Sequence, residues 1–431
     1  MNLLDIGLMH PRDQIVLIIS RIYKNGMTTT SGGNVSIIDD QGDIWVTPSG
    51  IDKGALGPDD INCIKADGTI LGKHKPSSEF PFHSAIYKIR PELKAIIHAH
   101  PPALVSFSIA RVIPDTNVIP QAKYVCGPIG FAPYAIPGSE ELGENIAAVF
   151  AESYNAVIME NHGTVVGGTD MKDAYQRFET LEFCARAIIN AKTIGKINTL
   201  SDEQIESFEA QIPRLQPEIQ GVEHPSDERE KREEIMRIVR RACDQGLMIS
   251  SYGTVSVRWR WNDFLITPTN VLRWNITLDD IVQIKDGRRE PCKIPSRATW
   301  LHQEIYRQNP HINSIILTQS PYLMAFSVTG NKFDVRTIPE SWIFLQDVPN
   351  VPFGSHFAGE DTIVNLISKD TPAVIIENDS VLVTGDKLLQ TFDRLEVAEF
   401  SAKSLVMGAV IGELKPIGEK EIEDLRRKFL S

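Results

Sequence analysis

The feature that most constrains this chain is that it carries one module twice. Near the start of the first copy, Ser31-Gly32-Gly33-Asn34-Val35-Ser36 is matched by Ser251-Tyr252-Gly253-Thr254-Val255-Ser256 in the second. Further on, Pro76-Ser77-Ser78-Glu79-Phe80-Pro81-Phe82-His83 faces Pro295-Ser296-Arg297-Ala298-Thr299-Trp300-Leu301-His302. His98-Ala99-His100-Pro101 faces Leu317-Thr318-Gln319-Ser320, and Glu160-Asn161-His162-Gly163 faces Glu377-Asn378-Asp379-Ser380. A repeat of about 200 residues is a duplicated domain, far longer than a solenoid unit. The copies are not equivalent. Glu79, His98, His100 and His162 of the first become Ala298, Leu317, Gln319 and Asp379 in the second, so the chemistry is expected in the first copy alone.

With 431 residues, two domains are the natural reading: 1–212, a linker over 213–228, and 229–431. The linker region, Ile212 to Asp227, holds Pro213, Pro217 and Pro225 and little apolar content. A net charge of −12 argues against a nucleic-acid footprint, which needs a concentrated basic surface. It leaves room for a local anion site built from backbone N–H groups. Five scattered cysteines without a Cys-x-x-Cys pair suit a reducing compartment. Neither a signal peptide nor an apolar run long enough to span a membrane is visible, so a cytoplasmic protein with no membrane partner is expected.

Helices are expected at Arg12 to Lys24, Phe80 to Ile89, Ser139 to Phe150 (with Ser139 as N-cap) and Met171 to Ile194. Strands are expected at Asn34 to Ile38, Asp43 to Thr47, Asp60 to Lys65, Lys94 to His98, Ala156 to Met159 and Thr164 to Val166. In the second copy, Arg229 to Asp244 and Lys387 to Ile411 read as helices. The charge run Asp227 to Glu234 reads as a solvated helix face. The irregular alternation predicts an α/β fold: two tandem copies of a three-layer α/β/α module with a mixed, largely antiparallel sheet. It is not a Rossmann pattern, because Ser31-Gly32-Gly33-Asn34 precedes a strand instead of opening a helix.

His98 and His100 stand at i and i+2 at a strand end and therefore point to one face. His162, after a second apolar strand, is placed to be a third ligand. Three neutral imidazoles around Zn²⁺ or another divalent cation leave a position open for substrate, the pattern of a catalytic site. Glu79, at the start of a helix, reads either as a helix-dipole partner or as a general base near the metal. The second copy keeps that helix with Ala298, which favours the base. Ser77 and Ser78 read as N-caps or as anion donors. With Asn34 and the Ser49-Gly50 turn they form a candidate phosphate cradle, whose counterparts include Thr254, Asn270 and Arg297.

Gly33-Asn34-Val35-Ser36, Thr47-Pro48-Ser49-Gly50, Ser77-Ser78-Glu79, His98-Ala99-His100 and Asn161-His162-Gly163, in this order, resemble the class II aldolase/adducin family over about Pro11 to Gly195. The resemblance implies Zn²⁺ on His98, His100 and His162, with Glu79 as acid/base. It implies that Asn34, Ser49, Gly50, Ser77 and Ser78 bind a substrate phosphate. The implied reaction is retro-aldol cleavage of a ketose 1-phosphate to dihydroxyacetone phosphate and an aldehyde. Family aldolases resemble fourfold rings in which a tyrosine from the neighbouring subunit donates a proton. Tyr124 stands where that tyrosine belongs, and Ile343 holds its place in the second copy. A homo-oligomer, as a pseudo-fourfold ring of modules, is therefore implied. Epimerases, dehydratases and sugar-acid decarboxylases of the family share the metal site, and an adducin-like interaction protein is the non-catalytic alternative.

Overall fold

The computed structural model describes residues 6–211, 216–357 and 361–430. The chain divides into two compact units, one of Met1–Thr116 and Gln121–Arg186, the other of Asn117–Pro120 and Ala187–Ser431.

The first unit is built on an eight-stranded sheet. Its strands are β1 Asn34–Ile38, β2 Ile44–Val46, β3 Asn62–Ile64, β4 Ile70–Leu71, β5 Ala95–Ala99, β6 Ile129–Ala132, β7 Ala156–Met159 and β8 Thr164–Gly168. Their order is β4-β3-β2-β1-β5-β8-β7-β6; β6 and β7 are parallel and the other pairs antiparallel. Helices α1 Pro11–Lys24, α2 Phe80–Ile89, α3 Pro102–Ala110, α4 Pro120–Cys126, α5 Glu140–Ala151 and α6 Met171–Ile194 surround it. Phe82 and Ile86 of α2 and Leu142, Ile146 and Phe150 of α5 pack on Ile96, Val157, Met159 and Val165 of the sheet. Every residue of β5 is buried, and since successive side chains alternate, both faces of this central strand are covered. That is the expected three-layer module.

β1, α2, β7 and α6 have the bounds read from sequence, and Ser139 Oγ caps α5 by accepting Leu142 N–H at 3.1 Å. Four elements of this unit, β4, α3, α4 and β6, went unread. α3 is apolar on nearly all sides, so no helical period marks it. Pro102, read only as the end of β5, starts α3 at a position where a missing N–H costs nothing.

Before the second sheet comes α7 Asp202–Glu209. The second sheet repeats the first, with β9 Thr254–Arg260, β10 Asp263–Ile266, β11 Val282–Lys285, β12 Arg288–Arg289, β13 Ser314–Thr318, β14 Asn350–Val351, β15 Ala373–Ile376 and β16 Ser380–Gly385 in the same order. Its helices are α8 Ser226–Asp244, α9 Thr299–Gln308, α10 Leu323–Thr329, α11 Pro339–Leu345, α12 Thr362–Leu366, α13 Leu388–Ile411 and α14 Glu419–Phe429.

Residues 212–215 of the expected linker lie outside the described residues. Its later part pairs with the sheet edge: Arg289 N–H donates to Pro217 O and Ile219 N–H to Arg289 O, both at 2.9 Å. The charge run is only partly a solvated face. Glu228 and Arg232 are buried in α8, where the Arg232 guanidinium reaches Glu228 at 2.5 Å and Glu290 at 2.7 Å. A buried cation between two carboxylates satisfies all three groups, and alternating charge in the sequence does not distinguish it from a wet surface.

Candidate metal centre

Local geometry brings the three histidines together. Asn34 on β1 lies opposite His98 on β5, and His98 lies opposite Val165 on β8, so β5 is flanked by the two strands whose loops complete the site. The β7–β8 turn carries His162, with Asn161 in the left-handed region at φ 51°. Two glycines permit the close approach. A Cβ on Gly163 would lie 2.5 Å from Ala99 O and 2.6 Å from His100 Cδ2, and one on Gly33, at φ +72°, would lie 2.7 Å from His98 O.

One ligand atom from each of His98, His100 and His162 lies within 4.8 Å of the others. Among the described residues this is the one group of three side chains able to hold a metal. His98 Nδ1–H donates to Thr164 O at 3.0 Å, which leaves the Nε2 lone pair facing the cluster. Glu79 Oε2 is 3.3 Å from that Nε2, and Glu79 Oε1 is 3.5 Å from His162 Nε2. His98 Nε2, His100 Nε2, His162 Nδ1 and Glu79 Oε1 are buried without a hydrogen-bond partner. Buried lone pairs converging in this way are costly unless a cation lies among them, and a divalent ion fits the donor set.

Electrostatics prepare the same arrangement. Burial, then the neighbouring histidines, push His100 down to about 3 and His162 to about 4. Burial alone would raise the Glu79 carboxyl, but His98, His162 and the Asn34 amide outweigh it and hold it below the usual carboxylate range. At neutral pH His100 and His162 are therefore neutral and Glu79 is an ionised carboxylate. A stability prediction follows for the chelator-treated protein. In the unfolded chain these imidazoles take up protons near pH ~6.5, whereas the folded ones resist until about 4 or below. The unfolded state then binds more protons, so stability is full above about pH 6.5 and falls as pH drops toward 4. Urea midpoints between pH 7 and 4 should decline. A flat series would refute the assignment of buried neutral histidines.

Glu79 is the N-cap residue of α2, yet its side chain makes no capping bond. Its carboxylate turns inward, where Asn34 Nδ2–H donates to Oε2 at 2.7 Å. With Asn34 so oriented, its Oδ1 accepts from His83 Nε2–H. His83 Nδ1 in turn accepts from the Ser36 hydroxyl at 2.7 Å, and Ser36 Oγ accepts from Tyr87 at 2.8 Å. The second unit repeats Tyr306, Ser256 and His302 with 2.7 Å contacts, but the relay stops there. Thr254 replaces Asn34 and bonds Ser296 at 2.5 Å, and His302 Nε2 is left without a partner. Tyr-Ser-His thus belongs to the fold, while Asn34–Glu79 belongs to the site. Sequence reading placed Asn34 with the phosphate; its buried amide is engaged by Glu79 and His83. The signal was available, because Ser36, His83 and Tyr87 recur in the repeat. Replacing Asn34 by Thr, the residue of the second module, is expected to lower turnover about 10–100-fold with bound metal unchanged. Kinetics alongside metal analysis check this, and unchanged turnover would remove Asn34 from the machinery.

Ser49, Gly50 and Ser78 are exposed on two adjacent turns, with Ser77 half-buried between them and Gly50 at φ +70°. The turns are joined by Ser49 N–H to Lys75 O at 2.9 Å and Ser77 N–H to Thr47 O at 3.2 Å. Tyr124 lies apart on α4, 64% exposed, with no hydrogen bond to the histidines. In the second unit Leu317 joins the apolar core where His98 stands in the first, and Gln319 donates to Asp379 O at 2.8 Å.

The family described as Class II Aldolase and Adducin N-terminal domain matches residues 13–189 and 233–406. The chain is 33% identical over 181 residues to 3-oxo-tetronate 4-phosphate decarboxylase of Escherichia coli strain K12, covering 41% of this chain and 85% of that protein. It is 31% identical over 206 residues to 5-deoxy-D-ribulose 1-phosphate aldolase of Bacillus thuringiensis serovar kurstaki, covering 46% and 92%. It is 35% identical over 173 residues to L-fuculose phosphate aldolase of Methanocaldococcus jannaschii, covering 40% and 91%. Each relative has about the length of one module.

Proposed function

Since the chain belongs to the family of class II aldolases and adducin N-terminal domains, which it matches over both modules, we propose that its first module is a zinc-dependent aldolase cleaving a ketose 1-phosphate to dihydroxyacetone phosphate and an aldehyde. One observation carries the reading: an ionised, buried Glu79 lies 3.3 Å from His98 and 3.5 Å from His162, and all the ligands and Glu79 are lost together in the second copy. A divalent ion held by His98, His100 and His162 would supply Lewis acidity to the substrate carbonyl and neighbouring hydroxyl. Glu79 would move the proton at the carbon that becomes the nucleophile of the reverse reaction, and Asn34 would keep its carboxylate aimed there. Ser49, Gly50, Ser77 and Ser78 would hold the phosphate at the start of α2, where the helix dipole favours an anion. Tyr124, exposed on α4, would serve the site of a neighbouring subunit in a homo-oligomer.

A second reading is decarboxylation of a phosphorylated sugar acid. The likeness to the E. coli decarboxylase favours it, as does Ile343 in place of a tyrosine in the second module. The test uses the full chain loaded with zinc. L-Fuculose 1-phosphate and 5-deoxy-ribulose 1-phosphate should release dihydroxyacetone phosphate. Carbon dioxide from 3-oxo-tetronate 4-phosphate, with no cleavage of either ketose phosphate, would overturn the aldolase reading in favour of the second. Absence of both metal and turnover would favour the adducin-like alternative.

A further inference from the structure

The duplication exposes a second place where the two modules differ in charge, away from the metal ligands. In the first module Arg90 clamps two turns together. Its guanidinium donates to Phe150 O at 3.0 Å, Tyr154 O at 3.1 Å and Asn155 Oδ1 at 2.9 Å, and it pairs with Glu92. On α6, Arg177 is neutralised by Asp173 at 3.0 Å. In the repeat the clamp is Asn309, Glu92 has become His311, Glu152 has become Lys369 and Asp173 has become Gln390, while Arg177 persists as Arg394. Strand and turn correspondences support the alignment: Leu93 N–H bonds Arg90 O as Ile312 N–H bonds Asn309 O, and Gly167 N–H bonds Asn155 O as Thr384 N–H bonds Pro372 O.

The two turns that Arg90 ties in the first module line a cavity of about 550 Å³ in the second, with Arg394, Lys369, His311 and Gln390 on its walls. Arg394 donates only to main-chain oxygens, Phe344 O at 3.1 Å and Thr384 O at 2.6 Å, and among the described residues no carboxylate pairs with it. The one acid on the wall, Asp386, already accepts from Asn313 at 2.7 Å. Across these turns three carboxylates and the Arg90 guanidinium of the first module are gone, and Lys369, Asp370 and Asp386 are gained, so that the Arg394 guanidinium and the Lys369 ammonium face a cavity of small-ligand size with Asp386 as the one anion on its wall.

We propose that the second module carries a binding pocket for a small oxoanion, a phosphate ester or a carboxylate, that has no counterpart in the first module. Arg394 and Lys369 supply the charge, and Gln390 matters because it is not the aspartate that would cancel Arg394.

The test is calorimetric titration of the full chain with inorganic phosphate and, separately, with malonate. Wild type is expected to show saturable binding of at least one probe, and the preferred probe distinguishes a phosphate from a carboxylate ligand. Gln390→Asp and Lys369→Glu restore the first module's charges on a wall that tolerates them there. Both should weaken that binding at least tenfold. Ser78→Asp, in the first-module cradle, should leave it intact. No saturable binding of either probe, equal affinity in wild type and both second-module variants, or loss in Ser78→Asp alone would overturn the proposal.

Discussion

His98→Leu is expected to fold, to lose the bound divalent ion, and to lose activity by about 10³-fold or more. The fold expectation comes from the protein itself, since Leu317 stands at the equivalent position of an equally buried strand and joins its core. The functional loss follows from geometry. His98 is the one ligand whose second nitrogen is fixed by a strand carbonyl, and Lewis-acid stabilisation of several kcal/mol disappears with the ion. Metal analysis by mass spectrometry, thermal melting and turnover should be read together. A variant that keeps one metal per chain would overturn the ligand assignment. A variant that loses metal but not activity would overturn the role of the metal in the reaction.

Glu79→Gln should separate chemistry from metal binding. The amide keeps the shape of the side chain and can still meet Asn34 and the histidines, but it cannot accept a proton from carbon. Loss of a general base typically costs about 10²–10⁴-fold, so turnover should fall by that much while metal content stays at the wild-type level. Glu79→Ala should behave alike, since Ala298 occupies the same N-cap position in the second module. Retention of turnover in both variants would assign the proton transfer to another group. Release of the metal from Glu79→Gln would instead make the carboxylate a ligand more than a base.

Much of this site was legible because its signals are local. Strand alternation puts His98 and His100 on one face without any knowledge of the fold. Comparison of the copies supplied a control: a residue that changes while its element persists is not required by that element. This separated Glu79 from ordinary helix-terminus acids, and the absence of a capping bond from its side chain agrees. Ser36, His83 and Tyr87 recur in the second copy as Ser256, His302 and Tyr306. Their recurrence marks a contact between α2 and β1, but only packing shows that the contact continues through Asn34 to Glu79 in one copy and stops at His302 in the other. The helix α3 was missed because apolar residues lie on its exposed face, Ile109 among them, as well as on its buried one, and the Glu228–Arg232–Glu290 network because a charge pattern carries no information about burial.

By itself the sequence determined the duplication, the α/β class, the identity of the three histidines and which module holds them, because periodicity and self-comparison are properties of the chain. Only the tertiary structure decided what Asn34 bonds, that buried lone pairs converge where a cation fits, and that loss of one arginine clamp accompanies a cationic cavity in the second module. Those depend on groups brought together from segments 45 to 66 residues apart, where the packing of helices and turns on the sheet sets the distances.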